Sequence, residues 1–214
     1  MARVGCVVGE MGLLAVALAV LLADCAAGPP PVSGFLGDYS GFQADPKDKS
    51  LLYYEAPGVH WGKYTKLMID PVVVYYHPKA KHRGIRPEEL KKLTDEFRRL
   101  AIEAVRDAYP VVDGPGPDVL RVRAAITNLV PADPLVNAAT TAAIGVPVDI
   151  GKAAMEAEFL DSVTGRRLAA VIDRKSGSVV RVWQGFTRWS HVRHAFKQWA
   201  KELRRALDEA HGRK

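Results

Sequence analysis

Cysteine is almost absent from this chain: Cys6 and Cys25 are the only two in 214 residues. That excludes a disulfide-dense scaffold and a four-cysteine zinc site. Beyond the N-terminus no apolar run is long enough to cross a bilayer, which excludes a multi-span membrane protein. Acidic residues are in deficit, with 24 Asp+Glu against 30 Lys+Arg and a formal net charge of +6. Catalytic signatures are missing as well. There is no GxSxG, no HExxH, no phosphate-binding glycine loop and no dinucleotide fingerprint. The expectation from this is a non-enzymatic protein with no cofactor and no metal. What the chain does have is 48% hydrophobic residues, enough for a core and too many for intrinsic disorder. At roughly 100–200 residues per domain, one domain plus an export segment is the simplest division.

The N-terminus is distinct. Arg3 supplies a positive start, and Gly12 to Leu22 is an uncharged apolar run of eleven residues, the length of a signal-peptide h-region. Glu10 is an unusual acid just ahead of it. The following Leu22-Ala23-Asp24-Cys25-Ala26 resembles a bacterial lipobox, in which the cysteine is acylated and becomes the new N-terminus. The resemblance implies a signal peptide over 1–24, lipid attachment at Cys25 and membrane association through that lipid. Ala26, where an Asp would redirect sorting, implies the outer membrane with the protein facing the periplasm. Asp24 departs from the small residue usual before the cysteine. Ordinary cleavage near Ala27, releasing a soluble periplasmic enzyme or carrier, therefore stays open. With Cys6 removed and Cys25 acylated, the mature domain has no thiol. Removing Arg3, Glu10 and Asp24 leaves 29 basic and 22 acidic residues, a net charge of +7.

Residues 25–50 read as an attachment cysteine and a Pro/Gly-rich tether, Gly28 to Pro31, followed by a segment whose aromatics suit docking on the domain. A single α+β domain is expected over 51–214. Leu51–Glu55 is a strand, and Lys66–Tyr76 is a β-branched strand in which Pro71 forces an edge or a split. Pro87-Glu88-Glu89 opens a helix whose Leu90, Leu93, Phe97, Ala101 and Val105 share one face. Val119–Val130 and Ala153–Asp161 alternate as half-buried strands, with Glu156 and Glu158 expected on the solvent face. Ser162–Gly165 is a turn, and Arg167–Asp173 returns as the hairpin partner, with Arg167 a partner across it for the Glu156 and Glu158 face. Residues 134–144 suit a short small-residue helix, and Val179–Trp183 a short strand. Ser190 caps a last helix with a stripe from Val192 through Phe196, Trp199 and Leu203 to Ala210. The sum is an α+β, two-layer sandwich: a mainly antiparallel sheet with two long helices on one face.

The segment Ser33-Gly-Phe-Leu-Gly-Asp-Tyr-Ser40 after the lipobox-like cysteine, with Met155-Glu-Ala-Glu-Phe-Leu-Asp161, Thr164-Gly165 and Trp199-Ala200, resembles a family of bacterial lipoproteins known only as a domain of unknown function. The likeness covers most of residues 25–210 and is most specific in the opening segment. It implies export, lipid anchoring and a periplasmic domain, and carries no activity.

The candidate sites are modest. His191 and His194 stand three apart at a helix start, a spacing that can share a metal, but the surroundings favour two partly exposed polar residues. His77 and His82 flank a basic loop without acidic company; a pocket joining them or His60 with Asp38 or Glu158 would favour an enzyme. Asp38 and Tyr39 suit docking or hydrogen bonding. Lys79, Lys81, Arg83 and Arg86 form a basic cluster suited to an anionic partner, an envelope protein or anionic lipid; an export signal argues against nucleic acid. A second basic group, Arg193, Lys197, Lys201, Arg204 and Arg205, lies along the last helix.

Overall fold

A computed structural model of the chain describes residues 32–48, 50–76, 84–130, 152–176 and 189–213. The signal segment 1–24, Cys25, the tether, His77, Lys79, Lys81, His82, Arg83, the helix expected at 134–144 and the strand expected at Val179–Trp183 lie outside the described residues.

Alternating apolar residues build the sheet. Its strands are β1 (Gln43–Ala44), β2 (Leu51–Glu55), β3 (Lys66–Ile69), β4 (Val73–Val74), β5 (Val119–Val130), β6 (Lys152–Asp161) and β7 (Arg167–Ser176). The order is β1-β2-β7-β6-β5-β3, with β4 also on β5. Pro71 splits the expected long strand as its missing N–H requires. The two pieces, β3 and β4, both run parallel to β5. The pairings β1–β2, β2–β7, β5–β6 and β6–β7 are antiparallel. The sheet is therefore mixed, and with the two helices the fold is α+β. A register shift at Ile126/Asn128 turns Leu129 toward the side of Ile126, and both are fully buried.

Helix α1 (Pro87–Val105) has Pro in its first turn and Glu88 and Glu89 at its positive end. Helix α2 (Ser190–Ala210) begins one residue earlier than a Ser190 cap would place it: Trp189 holds the N-cap position. The helices pack through Phe97, stacked on Phe196 at 4.8 Å and tilted against Trp199 at 5.5 Å. Aromatic pairs of this kind contribute about 0.5–1.5 kcal/mol each beyond their buried area. Leu93, Phe97, Val192, Phe196 and Trp199 then close one core cluster with Ile126, Leu129, Ala153 and Met155 of the sheet. A second cluster joins Val105, Tyr109 and Leu207 to Leu67, Leu120 and Val122. His191 corrects the expectation of partial exposure, being buried with the helix–sheet core.

Asp161 fastens one end of the sheet. Its Oδ1 accepts the backbone amides of Val163 and Thr164 and the Thr164 hydroxyl, shaping the β6–β7 turn. Its Oδ2 accepts Tyr64 Oη at 2.8 Å and Lys63 Nζ at 3.0 Å, from the helical turn Trp61–Lys63 and the residue after it. The Thr164 amide first, then Tyr64 and Lys63, hold this carboxyl well below the usual carboxylate range. A folded-state value below the unfolded one near 3.9 makes its contribution complete above about pH 4, and lost as pH falls through the folded value. Asp161→Asn should lower the unfolding free energy by about 1–3 kcal/mol at neutral pH. Denaturant melts at stepped pH should show the gap to wild type narrowing below about pH 4; a gap that stays constant would contradict this role.

Candidate functional site

Strand alternation gives β6 two faces. Ala153 and Met155 meet the helices. Glu156 and Glu158 point to the other side, where solvent was expected. They are instead buried, at 0% and 4% exposure, and the cover is the N-terminal segment 33–42. Leu36 of that segment packs on Ala170 and Ile172 of β7, with Phe35, Tyr39, Phe42, Leu52 and Tyr54 around them. A carboxyl group loses its hydration when covered in this way and must be met by donors.

The strap supplies them for Glu156. Oε1 accepts the Ser33 amide at 2.7 Å and Oε2 accepts the Tyr39 hydroxyl at 2.6 Å. The same hydroxyl accepts the amides of Gly34 at 2.8 Å and Leu36 at 3.2 Å. The strap is thus wound around Tyr39 and hung from Glu156. The winding requires positive φ at Gly34 (101°) and Gly37 (73°), the region that favours glycine. Burial first, then the bond to Glu156, pushes the Tyr39 phenol above its ordinary value, so it stays a donor throughout the physiological range.

Glu158 is held by arginines. Arg123 Nη1 lies 2.6 Å from Oε1 and Arg167 Nε 3.0 Å from Oε2. Of the two glutamates expected to face Arg167, Glu158 pairs with it and Glu156 does not, and Arg167 does more. Its other nitrogens donate to the carbonyls of Asp38, at 2.8 Å, and Leu36. Arg123 also lies over the Phe35 ring, 5.3 Å from its centre. Next along the face, Arg121 grips Asp70 with contacts of 2.7–3.1 Å.

Each carboxyl oxygen of Glu156 and Glu158 therefore faces a donor. Such groups hold a peptide chain in place. Removing one partner of a buried ionic network of this kind costs about 3–5 kcal/mol. Ser33, Arg121, Arg123 and Asp70 were not singled out from the sequence. The available signal was two Glu on β6 facing three Arg on β5 and β7, beside an aromatic-rich segment with nothing else to cover.

Among the described residues, the other expected positions are not gathered into one site. Arg86 is exposed at the N-cap position of α1, while its companions Lys79, Lys81 and Arg83, like Cys25, lie outside the described residues. His60 and Asp38 are exposed, and the Asp38 side chain serves the turn at Ser40. His194 faces Gln198 on its own helix. The basic stripe of α2 is partly neutralised: Arg193 pairs with Glu96, and Arg204 with Asp107 and Asp208. Among the described residues no group of three or more His, Cys, Asp or Glu side chains is placed to hold a metal ion. Nor is any described helix long and apolar enough to cross a membrane.

Fold and site together define an α+β domain with its N-terminal segment clamped across the sheet by buried carboxyl groups. The chain belongs to the family described as "Protein of unknown function (DUF3313)", whose model matches residues 31–203. That span begins at the strap and runs into α2. Comparison with curated protein sequences gives no match. Solved structures similar to the chain include a PelC dodecamer from Paraburkholderia phytofirmans, at 10% identity and a TM-score of 0.40 over 72% of this chain and 96% of that one. A neuraminyllactose-binding hemagglutinin homolog from Helicobacter pylori matches at 13% identity and a TM-score of 0.40, over 74% and 91%. A DUF330-family protein from Xanthomonas campestris matches at 13% and 0.36, over 70% and 86%.

Tyr39→Phe should destabilise the domain by about 1–3 kcal/mol, because it strips one acceptor from two strap amides and one donor from a buried carboxyl. Glu156→Gln, which keeps an acceptor for Ser33, should cost less than Glu156→Ala. Urea melts of the three variants check the order; a Tyr39→Phe protein as stable as wild type would contradict the clamp.

Proposed function

We propose that this chain is an outer-membrane lipoprotein, a non-enzymatic module facing the periplasm that binds or scaffolds another component of the cell envelope. The observation that supports it is the clamp of the strap on Glu156 and Glu158. Cys25 precedes Ser33 by eight residues, and an extended chain spans at most about 3.6 Å per residue. A lipid on Cys25 would therefore sit within roughly 30 Å of a point fixed rigidly to the sheet. A strap bound by a buried carboxyl, a phenol and a guanidinium gives the attachment a fixed point on the domain. A domain held this way stays close to the membrane, which suits a scaffold.

We read the fold as the two-layer sandwich with a mainly antiparallel sheet. Four antiparallel pairings against two parallel ones, among the described residues, and two helices sharing core clusters with one sheet face support it. The basic group of Lys79, Lys81, Arg83 and Arg86 is the proposed contact for an anionic partner, lipid head groups or an acidic envelope protein.

Full-length protein and Cys25→Ala, expressed in a Gram-negative host, test the anchor by intact mass and membrane fractionation. The expected outcome is a fragment beginning at Cys25 with a lipid-sized mass increment in the membrane fraction, both lost in the variant. An unmodified soluble protein beginning after Ala27 would overturn the anchor and favour a free periplasmic carrier or enzyme.

A further inference from the structure

The helices do not fill the space above the sheet. Between them lies a cavity of about 610 Å³, within the roughly 300–1,000 Å³ usual for small-molecule sites. Its floor is Ala124, Ala157, Phe159 and Val171 of the sheet. Ala101 of α1 and Ala200, Leu203 and Ala206 of α2 form its walls. Five of the lining residues are alanines, which add little volume. An apolar concavity of this size, open at its rim, is suited to a small molecule.

The lining says what kind. The interior is apolar, and its buried polar pair is already joined, the Trp199 indole donating to Asp173 at 2.8 Å. That suits a hydrocarbon chain. The rim carries both signs: Lys47 and Arg205 beside Asp45, Asp48, Glu202 and Glu209. Two of these carboxylates are engaged locally, Asp45 by the amides of Lys47 and Asp48, and Asp48 by the amide and hydroxyl of Ser50. Arg205 and Glu209, 3.7 Å apart and both largely exposed, pair only loosely. A head group of one sign would meet a like charge on this rim, whereas one with both signs finds a partner for each.

We propose that this cavity binds the acyl chain of a single-chain zwitterionic lipid of the lysophospholipid class, its head group at the Lys47–Arg205 rim. The cavity lies on the helix side of the sheet and the strap on the other. The proposal goes beyond the anchoring reading and stands whether or not Cys25 is acylated.

The test titrates delipidated full-length protein with dodecanoyl and tetradecanoyl lysophosphatidylcholine below their micelle concentrations, read by calorimetry and by tryptophan fluorescence, to which Trp199 contributes. Saturable binding of one lipid per chain is expected. Two further methylenes should tighten it about fifteen-fold. Ala157→Phe, which fills the floor, should weaken it by about tenfold or more. Ala206→Leu, at the exposed end of the cavity wall, plays the same part if the first variant does not fold. Lys47→Glu combined with Arg205→Glu should weaken the zwitterionic lipid and spare a neutral monoacylglycerol. Failure to saturate, indifference to chain length, or binding unchanged in both filled variants would overturn the proposal. Stronger binding of dodecanoate than of the lysolipid would overturn the head-group assignment.

Discussion

A carboxyl group with no exposure at all stands near the middle of this sheet, and the arrangement around it follows from meeting its demands. Glu156 on β6 is flanked by β5 and β7, so water cannot reach it along the sheet. Strand neighbours use their backbone groups on the ladder and cannot serve it. The donors come from a segment more than a hundred residues away in sequence: the Ser33 amide and the Tyr39 hydroxyl. The strap in turn has no regular secondary structure of its own to satisfy its amides, and Tyr39 takes two of them. Each part is incomplete without the other.

Glu158 and its arginines extend the same logic sideways. Two guanidinium groups neutralise one buried carboxylate, and the surplus donors of Arg167 reach the strap carbonyls at Leu36 and Asp38. Arg, with its rigid fork of donors, can do both at once where Lys could not. Charge, hydrogen bonding and the small apolar cluster around Leu36, Ala170 and Ile172 fix the strap at several points along its length. The helix side of the sheet works differently. There stacked aromatics and aliphatic clusters hold α1 and α2, and a void remains where alanines meet.

Much of the fold was legible in the sequence because it rests on local periodicity. The two helices, the β6–β7 hairpin, the long β5 and the break at Pro71 all follow from spacing and from backbone chemistry that a few residues decide. The burial of Glu156 and Glu158 was not legible in that way. Alternation says which residues share a face; it does not say what covers the face. Two glutamates on alternate positions look the same whether solvent or a distant segment lies above them. The charge match to Arg121, Arg123 and Arg167 was the only local hint, and arginines facing glutamates across strands are equally common on open surfaces. His191 misled for the opposite reason: a polar residue at a helix start looks exposed until the neighbouring core is known. The cavity depends on the absence of side-chain volume from four elements at once, which no single stretch of sequence displays.

The central claim is that residues 33–42 are part of the folded domain and not a tether lying loosely on it. Amide hydrogen exchange of the full-length protein measures this directly. The amides of Ser33, Gly34 and Leu36, bound to Glu156 and Tyr39, should exchange as slowly as those of β6, because they open only when the sheet face itself opens. Fast exchange at these amides beside a protected β6 would show the strap detaching on its own, and would contradict the account.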